Sequence, residues 1–138
     1  YTERTIGVIA KIETKQAVLS LPEIIYEGLN LDSFGVMIAR GDLAVEIGYE
    51  KLAKAQGDML EICRAAHVPV IWATTVLDRM NKKGIPLRAE VTDAFMGLTA
   101  DCIMLNKGPY VSRSLQLLKQ LTDMNKNPLQ ELDFDLEP

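Results

Sequence analysis

Histidine and cysteine are scarce in this 138-residue sequence, which has one His, His67, and two Cys, Cys63 and Cys102. Zinc and iron sites that depend on clustered Cys and His ligands are therefore not expected. We predict that both cysteines are buried small apolar residues in a reducing compartment, the cytoplasm. His67 falls where a helix is expected to end, so we predict that it helps to satisfy the last helix carbonyl groups.

Excess basic charge and long apolar runs are also lacking. The chain has 15 Lys and Arg against 19 Asp and Glu, which gives a net charge of −4. A nucleic-acid partner is therefore not expected, because binding to a phosphate backbone needs a basic surface. No apolar run approaches the roughly 18 residues of a membrane span, and no secretory signal opens the chain, so no membrane partner is expected either.

What the sequence does contain is a recurring short apolar segment that predicts a β-strand. The four copies are GVIAKI (7–12), GVMIAR (35–40), PVIWAT (69–74) and CIMLN (102–106). Each is almost continuously apolar rather than alternating, which is typical of strands covered on both faces. We therefore predict four strands inside an α/β fold.

Helical periodicity fills the intervals between these segments. It predicts helices over 49–67 and 112–125, a shorter one over 91–98, and two short helices between the first two strands. Ser20 and Glu23 are predicted to cap the second of these two helices, with Pro22 in its first turn. Residues 82–83, both Lys, are expected on a solvated loop.

Alternation of strands and helices requires a parallel sheet. Two architectures fit: a doubly wound sheet, and four βα units forming half of a TIM (βα)8 barrel, since a full barrel takes about 250 residues. We predict one domain over residues 1–127 and an acidic tail or linker over 128–138, where four acids occur without a base.

Polar residues gather where each predicted strand ends. They are Lys11 and Glu13, then Arg40, Gly41 and Asp42, then Thr74 and Thr75, and finally Asn106 and Lys107. In parallel α/β folds, functional sites assemble at the carboxyl ends of the strands. Lys11 and Glu13 lie two residues apart, so their side chains are expected on one face of the strand.

Glu13 and Asp42 are candidate ligands of a divalent metal. Two carboxylates with open positions suit Mg²⁺, which keeps waters and shares oxygens with its substrate. Lys11 beside them would make the pocket attractive to a phosphate, a carboxylate or an enolate. Two simpler interpretations stay open: Lys11 and Glu13 form a structural ion pair at a barrel rim, and RGD (40–42) is an ordinary turn after a strand.

Several segments together resemble the pyruvate kinase family. They are AKIE (10–13), ARGDL (39–43) with VEI (45–47), ATT-VLDRM (73–80), RAE (88–90) and ADCIML (100–105), in family order and near family spacing. The resemblance covers about residues 5–124 and implies strands five to eight of a (βα)8 barrel of the phosphoenolpyruvate/pyruvate-binding type. It also implies Mg²⁺- or Mn²⁺-dependent phosphoryl transfer between phosphoenolpyruvate and ADP, giving pyruvate and ATP.

The resemblance assigns a role to each candidate residue. Lys11 would stabilise the enolate and the phosphoryl group in transfer, while Glu13 and Asp42 would hold the metal. The turn at Arg40, Gly41 and Asp42 would offer backbone N–H groups to the substrate carboxylate. Thr74 would lie against the face where the enolate is protonated. A K⁺ ion is possible in the full-length protein, although its usual ligands in this family are not in this chain.

The sequence also departs from the family pattern. Thr75 replaces the usual Gln, Asp78 replaces a Glu, and the chain is about two residues short after Asp93. NKGPY (106–110) stands in place of the Ser-Gly-Glu-Thr motif, in a contracted loop. These differences indicate a divergent branch of the family.

Two other functions stay open. A barrel that stabilises a pyruvate enolate with Mg²⁺ is also suited to aldolase or lyase chemistry, and a half-barrel could be a non-catalytic assembly module. Because the chain starts at Tyr1, almost directly on a strand, we expect it to be part of a longer polypeptide, or else that two copies close one barrel as a homo-oligomer.

Overall fold

The structure, a computed structural model, describes residues 6–126, and the predicted acidic tail over 128–138 lies outside the described residues. Strands and helices alternate along the described part of the chain. In order, the elements are β1 (Val8–Ile12), α1 (Lys15–Leu19), α2 (Leu21–Gly28), β2 (Phe34–Ala39), α3 (Arg40–Ile47), α4 (Tyr49–Ala65), β3 (Val70–Val76), α5 (Asp78–Lys83), α6 (Arg88–Gly97), β4 (Cys102–Leu105) and α7 (Val111–Lys126).

The four strands form one parallel sheet in the order β1-β2-β3-β4. Strands that are consecutive in sequence are therefore neighbours in the sheet, as in a (βα)8 barrel. A doubly wound sheet instead changes direction at a switch point in its strand order. The structure confirms the α/β class and is consistent with half of a TIM barrel, and it removes the doubly wound alternative for residues 6–126.

All four predicted strands are present, but the prediction that each is covered on both faces is wrong for the outer two. Strands β2 and β3 are mostly buried, whereas β1 and β4 are largely exposed or half-buried. Val8 and Ile9 of β1 keep 42% and 49% of their surface exposed. The reason is their position, because within residues 6–126 each outer strand has a neighbouring strand on one side only.

Helices α4, α6 and α7 confirm the periodicity, and α1 and α2 are the two short helices of the first interval. Helices α3 and α5 were not predicted, and the two lysines at 82–83 lie in α5 rather than on a loop. Ser20 is the N-cap residue of α2 with Pro22 in the first turn, as predicted, but its side chain makes no capping hydrogen bond, and its hydroxyl instead accepts a hydrogen bond from Gln16 Nε2 (3.0 Å). Among the described residues, no helix is both long and apolar enough to cross a membrane.

The helix-facing side of the sheet carries the hydrophobic core, in which Trp72 is the largest fully buried side chain. Cys63 belongs to this core, and burial raises its pKa to about 11, with Asp101 adding to the effect. Its thiolate is therefore scarce at neutral pH. Cys102 is exposed, so the prediction of two buried cysteines is wrong for it, because it opens the outer strand β4.

His67 follows the end of α4, as predicted. The bond to the helix carbonyl comes from its backbone, since the N–H of His67 donates to the carbonyl oxygen of Arg64 (3.1 Å). The residue has a φ of 55°, in the left-handed region common at helix ends.

Candidate functional site

The predicted site residues all lie at the carboxyl edge of the sheet. Lys11 is the second-last residue of β1, and Glu13 directly follows that strand. Arg40 to Asp42 open α3 directly after β2, and Thr74 is near the end of β3. Because these three strands are parallel neighbours, their ends bring the side chains together, as the sequence predicts.

A cluster of three charges forms at the tips of β1 and β2. The Lys11 ammonium forms an ion pair with Glu13 and lies 3.6 Å from Asp42 Oδ2. The hydrogen bond with Glu13 raises the pKa of Lys11 above its ordinary value of 10.5; desolvation partly offsets this, and the charges of Glu13 and Asp42 reinforce it. Lys11 is therefore fully protonated at neutral pH and stands between two carboxylates.

These two carboxylates fit a divalent metal that needs few protein ligands. Both carboxylates contact the Lys11 ammonium nitrogen, which lies between them, so the two carboxylates are neighbours at the strand tips. All three side chains are partly exposed, at 49% for Lys11, 39% for Glu13 and 65% for Asp42, which leaves room for water and substrate. Within residues 6–126, no group of three His, Cys, Asp or Glu side chains is arranged to hold a metal. Carboxylate oxygens are the kind of donor that Mg²⁺ or Mn²⁺ would take.

Gly41 and Thr74 form the second part of the site. The Gly41 N–H donates to the Thr74 hydroxyl at 2.6 Å, which joins the start of α3 to the end of β3. A Cβ at position 41 would lie 3.3 Å from Thr74 Oγ1, so this approach favours glycine. The RGD segment forms the first turn of α3, and its Gly41 N–H points towards Thr74.

The Arg40 side chain faces inward, and only 8% of the residue is exposed. Its Nε donates to the Ala73 carbonyl (2.9 Å), its Nη2 donates to the Thr74 carbonyl (2.9 Å), and its Nη1 forms an ion pair with Asp93 of α6. The guanidinium also lies 4.2 Å from the centre of the Trp72 ring, a cation–π contact. These contacts engage the guanidinium within the protein. Arg40 can therefore contribute to substrate binding through the backbone N–H groups of its turn rather than through its side-chain charge.

Sequence reasoning missed Asp93 and Trp72 as parts of this site. Asp93 lies 53 positions from Arg40, and no local pattern pairs the two residues. Trp72 reads as an ordinary buried strand residue. Only the fold brings both against the Arg40 side chain.

The NKGPY loop after β4 is held against α5. The Asn106 side-chain amide donates to Asp78 (3.5 Å), and the Tyr110 N–H donates to the Asn81 carbonyl (3.0 Å). A Cβ at Gly108 would lie 2.3 Å from that same carbonyl oxygen. The hydrogen bond from Lys82 lowers the pKa of Asp78, against an opposing effect of desolvation, and Asn106 adds to the lowering. The contracted loop is therefore built into the fold.

A family model described as the barrel domain of pyruvate kinase matches residues 1–113 of the chain. The chain belongs to the pyruvate kinase family. This confirms the resemblance drawn from the AKIE, ARGDL and ATT-VLDRM segments.

Individual members of the pyruvate kinase family give the same result. A pyruvate kinase of Leishmania mexicana is 40% identical over 139 residues, covering 95% of this chain and 26% of the relative. A pyruvate kinase of Thermotoga maritima is 37% identical over 134 residues, covering 95% and 28%. A crystal structure of a pyruvate kinase from Cryptosporidium parvum superimposes with a TM-score of 0.79 at 34% identity, covering 88% of this chain and 25% of that one. The chain thus spans about a quarter of the length of the pyruvate kinases it matches.

Proposed function

We propose that the chain provides strands five to eight of a pyruvate kinase barrel and carries part of its catalytic site. The reaction is phosphoryl transfer between phosphoenolpyruvate and ADP, giving pyruvate and ATP. The single observation that best supports this is the Lys11 ammonium in contact with Glu13 and Asp42 at the carboxyl edge of the sheet. Phosphoryl transfer depends on positioning and charge neutralisation, for which such a cluster is suited.

In this proposal, Glu13 and Asp42 are the protein ligands of Mg²⁺ or Mn²⁺. A metal held by these two residues would supply positive charge to the substrate oxygens. Lys11 supplies a second, fixed positive charge to the same oxygens. A lysine ammonium is protonated at neutral pH, and the hydrogen bond with Glu13 raises its pKa further, so this charge is present throughout the neutral range.

The substrate carboxylate is proposed to bind at the start of α3, chiefly at the Asp42 N–H, because the Gly41 N–H already donates to the Thr74 hydroxyl. A helix start suits an anion because its first N–H groups have no partner within the helix. The Gly41 N–H bonds to the Thr74 hydroxyl. In this proposal, Thr74 lies beside the carboxylate position and contacts the face of the enolate that receives a proton, a role that its hydrogen bond with Gly41 supports.

We propose that the remaining strands of the barrel come from a longer chain or from a second copy. The exposed apolar residues of β1, with Val8 at 42% and Ile9 at 49%, support such a closure. The nucleotide, phosphoenolpyruvate or pyruvate, and any K⁺ would be held in part by those strands. We also propose a cytoplasmic location, although one relative, from Ricinus communis, is named as chloroplastic.

The test is an activity assay of the complete gene product that contains these residues. We expect pyruvate formation from phosphoenolpyruvate only when both ADP and Mg²⁺ are present. Turnover of oxaloacetate or another 2-keto acid without ADP would instead favour the aldolase or lyase alternative. Absence of both activities in a folded protein would overturn the proposed enzyme and favour an assembly module.

The metal assignment predicts a specific loss. In Glu13→Gln and Asp42→Asn, we expect the Mg²⁺ concentration for half-maximal activity to rise at least about tenfold, since even outer-shell changes cost about 10- to 100-fold. Glu61→Gln is the matched control, because Glu61 is exposed on α4 and away from the sheet edge. Equal Mg²⁺ dependence in all three variants would remove these two carboxylates from the metal site.

A further inference from the structure

The end of β3 has an unusual backbone. Thr74, Thr75 and Leu77 have φ angles of 67°, 55° and 51°, in the left-handed region. β-Branched residues such as Thr rarely adopt this conformation, which costs about 1–3 kcal/mol per residue and persists only where the surroundings enforce it. The pairing of β3 with β4 is also irregular between Trp72 and Val76. Some contact must therefore hold this segment in place.

Arg40 makes the contact that can do this. Its Nε bonds to the carbonyl of Ala73 and its Nη2 bonds to the carbonyl of Thr74, each at 2.9 Å. These carbonyls belong to the two peptide planes on either side of the Thr74 Cα. Fixing both planes fixes the φ and ψ angles of Thr74, and with them the direction in which its side chain leaves the backbone.

Arg40 is in turn fixed by its surroundings. Asp93 of α6 pairs with Nη1, and the Trp72 ring lies 4.2 Å from the guanidinium. The Asp93 side chain is 29% exposed and that of Arg40 only 9%, so the ion pair is largely shielded from water. A shielded arginine without its carboxylate would be costly to keep in this position. Arg40 is the first residue of α3, and the N–H of the next residue, Gly41, bonds to the Thr74 hydroxyl.

We propose that Arg40, held by Asp93, is a positioning residue that imposes the left-handed backbone of Thr74 and so directs its hydroxyl at the Gly41 N–H. The kinetic part of this proposal rests on the proposed function. The structural part does not, because the Arg40 contacts and the Thr74 conformation are properties of the folded chain.

The structural test uses the 138-residue chain with Asp93→Asn and Arg40→Lys. Asn keeps the shape of Asp but loses the charge. Lys has a single ammonium group and lacks the planar guanidinium that lets Arg40 bind two carbonyls and a carboxylate at once. We expect the NMR amide signals of Gly41 and Thr75 to shift, and the emission of Trp72, the sole tryptophan, to change as the guanidinium leaves its ring. Asp58→Asn is the matched control, since it breaks an exposed ion pair with Lys54 (2.5 Å) and should leave all three signals unchanged.

The kinetic test uses the same variants in the complete gene product. We expect kcat to fall about 10- to 100-fold, as for a misplaced reacting group, while the KM for Mg²⁺ changes less than about threefold. A general loss of folded protein would instead lower the active fraction and leave kcat per folded molecule unchanged. Unaltered Gly41 and Thr75 amide signals in folded Arg40→Lys would overturn the proposal. If the wild type lacks kinase activity, the proposed function fails while the NMR result still decides the positioning role.

Discussion

Replacing Lys11 by methionine in the complete gene product is expected to lower phosphoryl-transfer turnover by about 100- to 1,000-fold, the typical cost of losing a group that stabilises charge in the transition state. Met keeps the length and apolar body of the side chain but removes the ammonium. The positive charge beside Glu13 and Asp42 is then lost, although both carboxylates remain. Steady-state kinetics at saturating Mg²⁺ and substrate measure this effect.

Lys119→Met is the matched control for this experiment. Lys119 is exposed on α7 and is distant in sequence from the candidate site residues. The substitution makes the same chemical change as Lys11→Met. We expect it to keep wild-type turnover. If Lys11→Met and Lys119→Met were both close to wild type, Lys11 would be a structural partner of Glu13 at the rim, the simpler interpretation that its spacing also allows.

The location of this cluster could be predicted from the sequence because it follows from strand geometry alone. Residues two apart in a strand share a face, and although Glu13 lies one residue beyond the end of β1, its side chain still contacts Lys11. Parallel strands with consecutive order bring their carboxyl ends together, which places Asp42 beside them. Both rules are local or topological and need no knowledge of side-chain packing.

The contacts of Arg40 could not be predicted in this way. Its partners Ala73, Thr74 and Asp93 lie 33 to 53 positions away, and their meeting depends on how α6 packs on β3. The left-handed backbone of Thr74 could not be predicted from the sequence either, since β-branched residues after an apolar run favour an ordinary extended strand. The prediction for Arg40 concerned the backbone N–H groups of its turn, and nothing in the sequence indicated that its side-chain charge is directed into the protein.

The missed helices have similar causes. Helix α3 contains a Gly in its first turn and β-branched residues, which weaken helical propensity, and its buried set, Arg40, Leu43 and Ala44, begins with a charged residue. Helix α5 has six residues, too few to show a period. Each begins within two residues of the end of a strand, where a polar run reads as a turn. Tertiary contacts rather than propensity define these two elements.

The exposed face of β1 has a related explanation. An almost continuous apolar strand predicts burial on both sides, yet Val8 and Ile9 are exposed. The sequence pattern is that of a strand in a complete barrel, and the described residues supply four strands. The exposure of these residues supports the proposal that further strands cover β1.

The largest effect on stability is expected for Trp72→Ala. Trp72 is fully buried on the helix-facing side of β3, and a Cβ added at Gly97 of α6 would lie 2.6 Å from its ring, so helix and ring are in close contact. Removing the ring leaves a large cavity between β3 and α6. We expect the free energy of unfolding to fall by about 3–5 kcal/mol, as for other buried aromatic truncations. Urea unfolding of the 138-residue chain, followed by far-UV circular dichroism, measures the change.

Trp72→Phe separates the cavity from the loss of the indole N–H. Among residues 6–126, the Trp72 Nε1 is buried and has no hydrogen-bond partner. Phe therefore removes an unsatisfied donor, whose burial costs about 1–3 kcal/mol, and this gain opposes the smaller loss of packing. We expect Trp72→Phe to be much closer to the wild type than Trp72→Ala. Equal destabilisation by both variants would contradict this account.

The Trp72→Ala substitution should also alter the conformation of the candidate site. The ring is one of the contacts that hold the Arg40 guanidinium, at 4.2 Å from its centre. Without it, Arg40 keeps Asp93 but can move into the vacated space, which loosens its bonds to the carbonyls beside Thr74. In molecules that remain folded, we therefore expect the Gly41 amide signal to shift in Trp72→Ala in the same direction as in Arg40→Lys. Shifts in unrelated directions would mean that packing at β3 and positioning at Thr74 are independent.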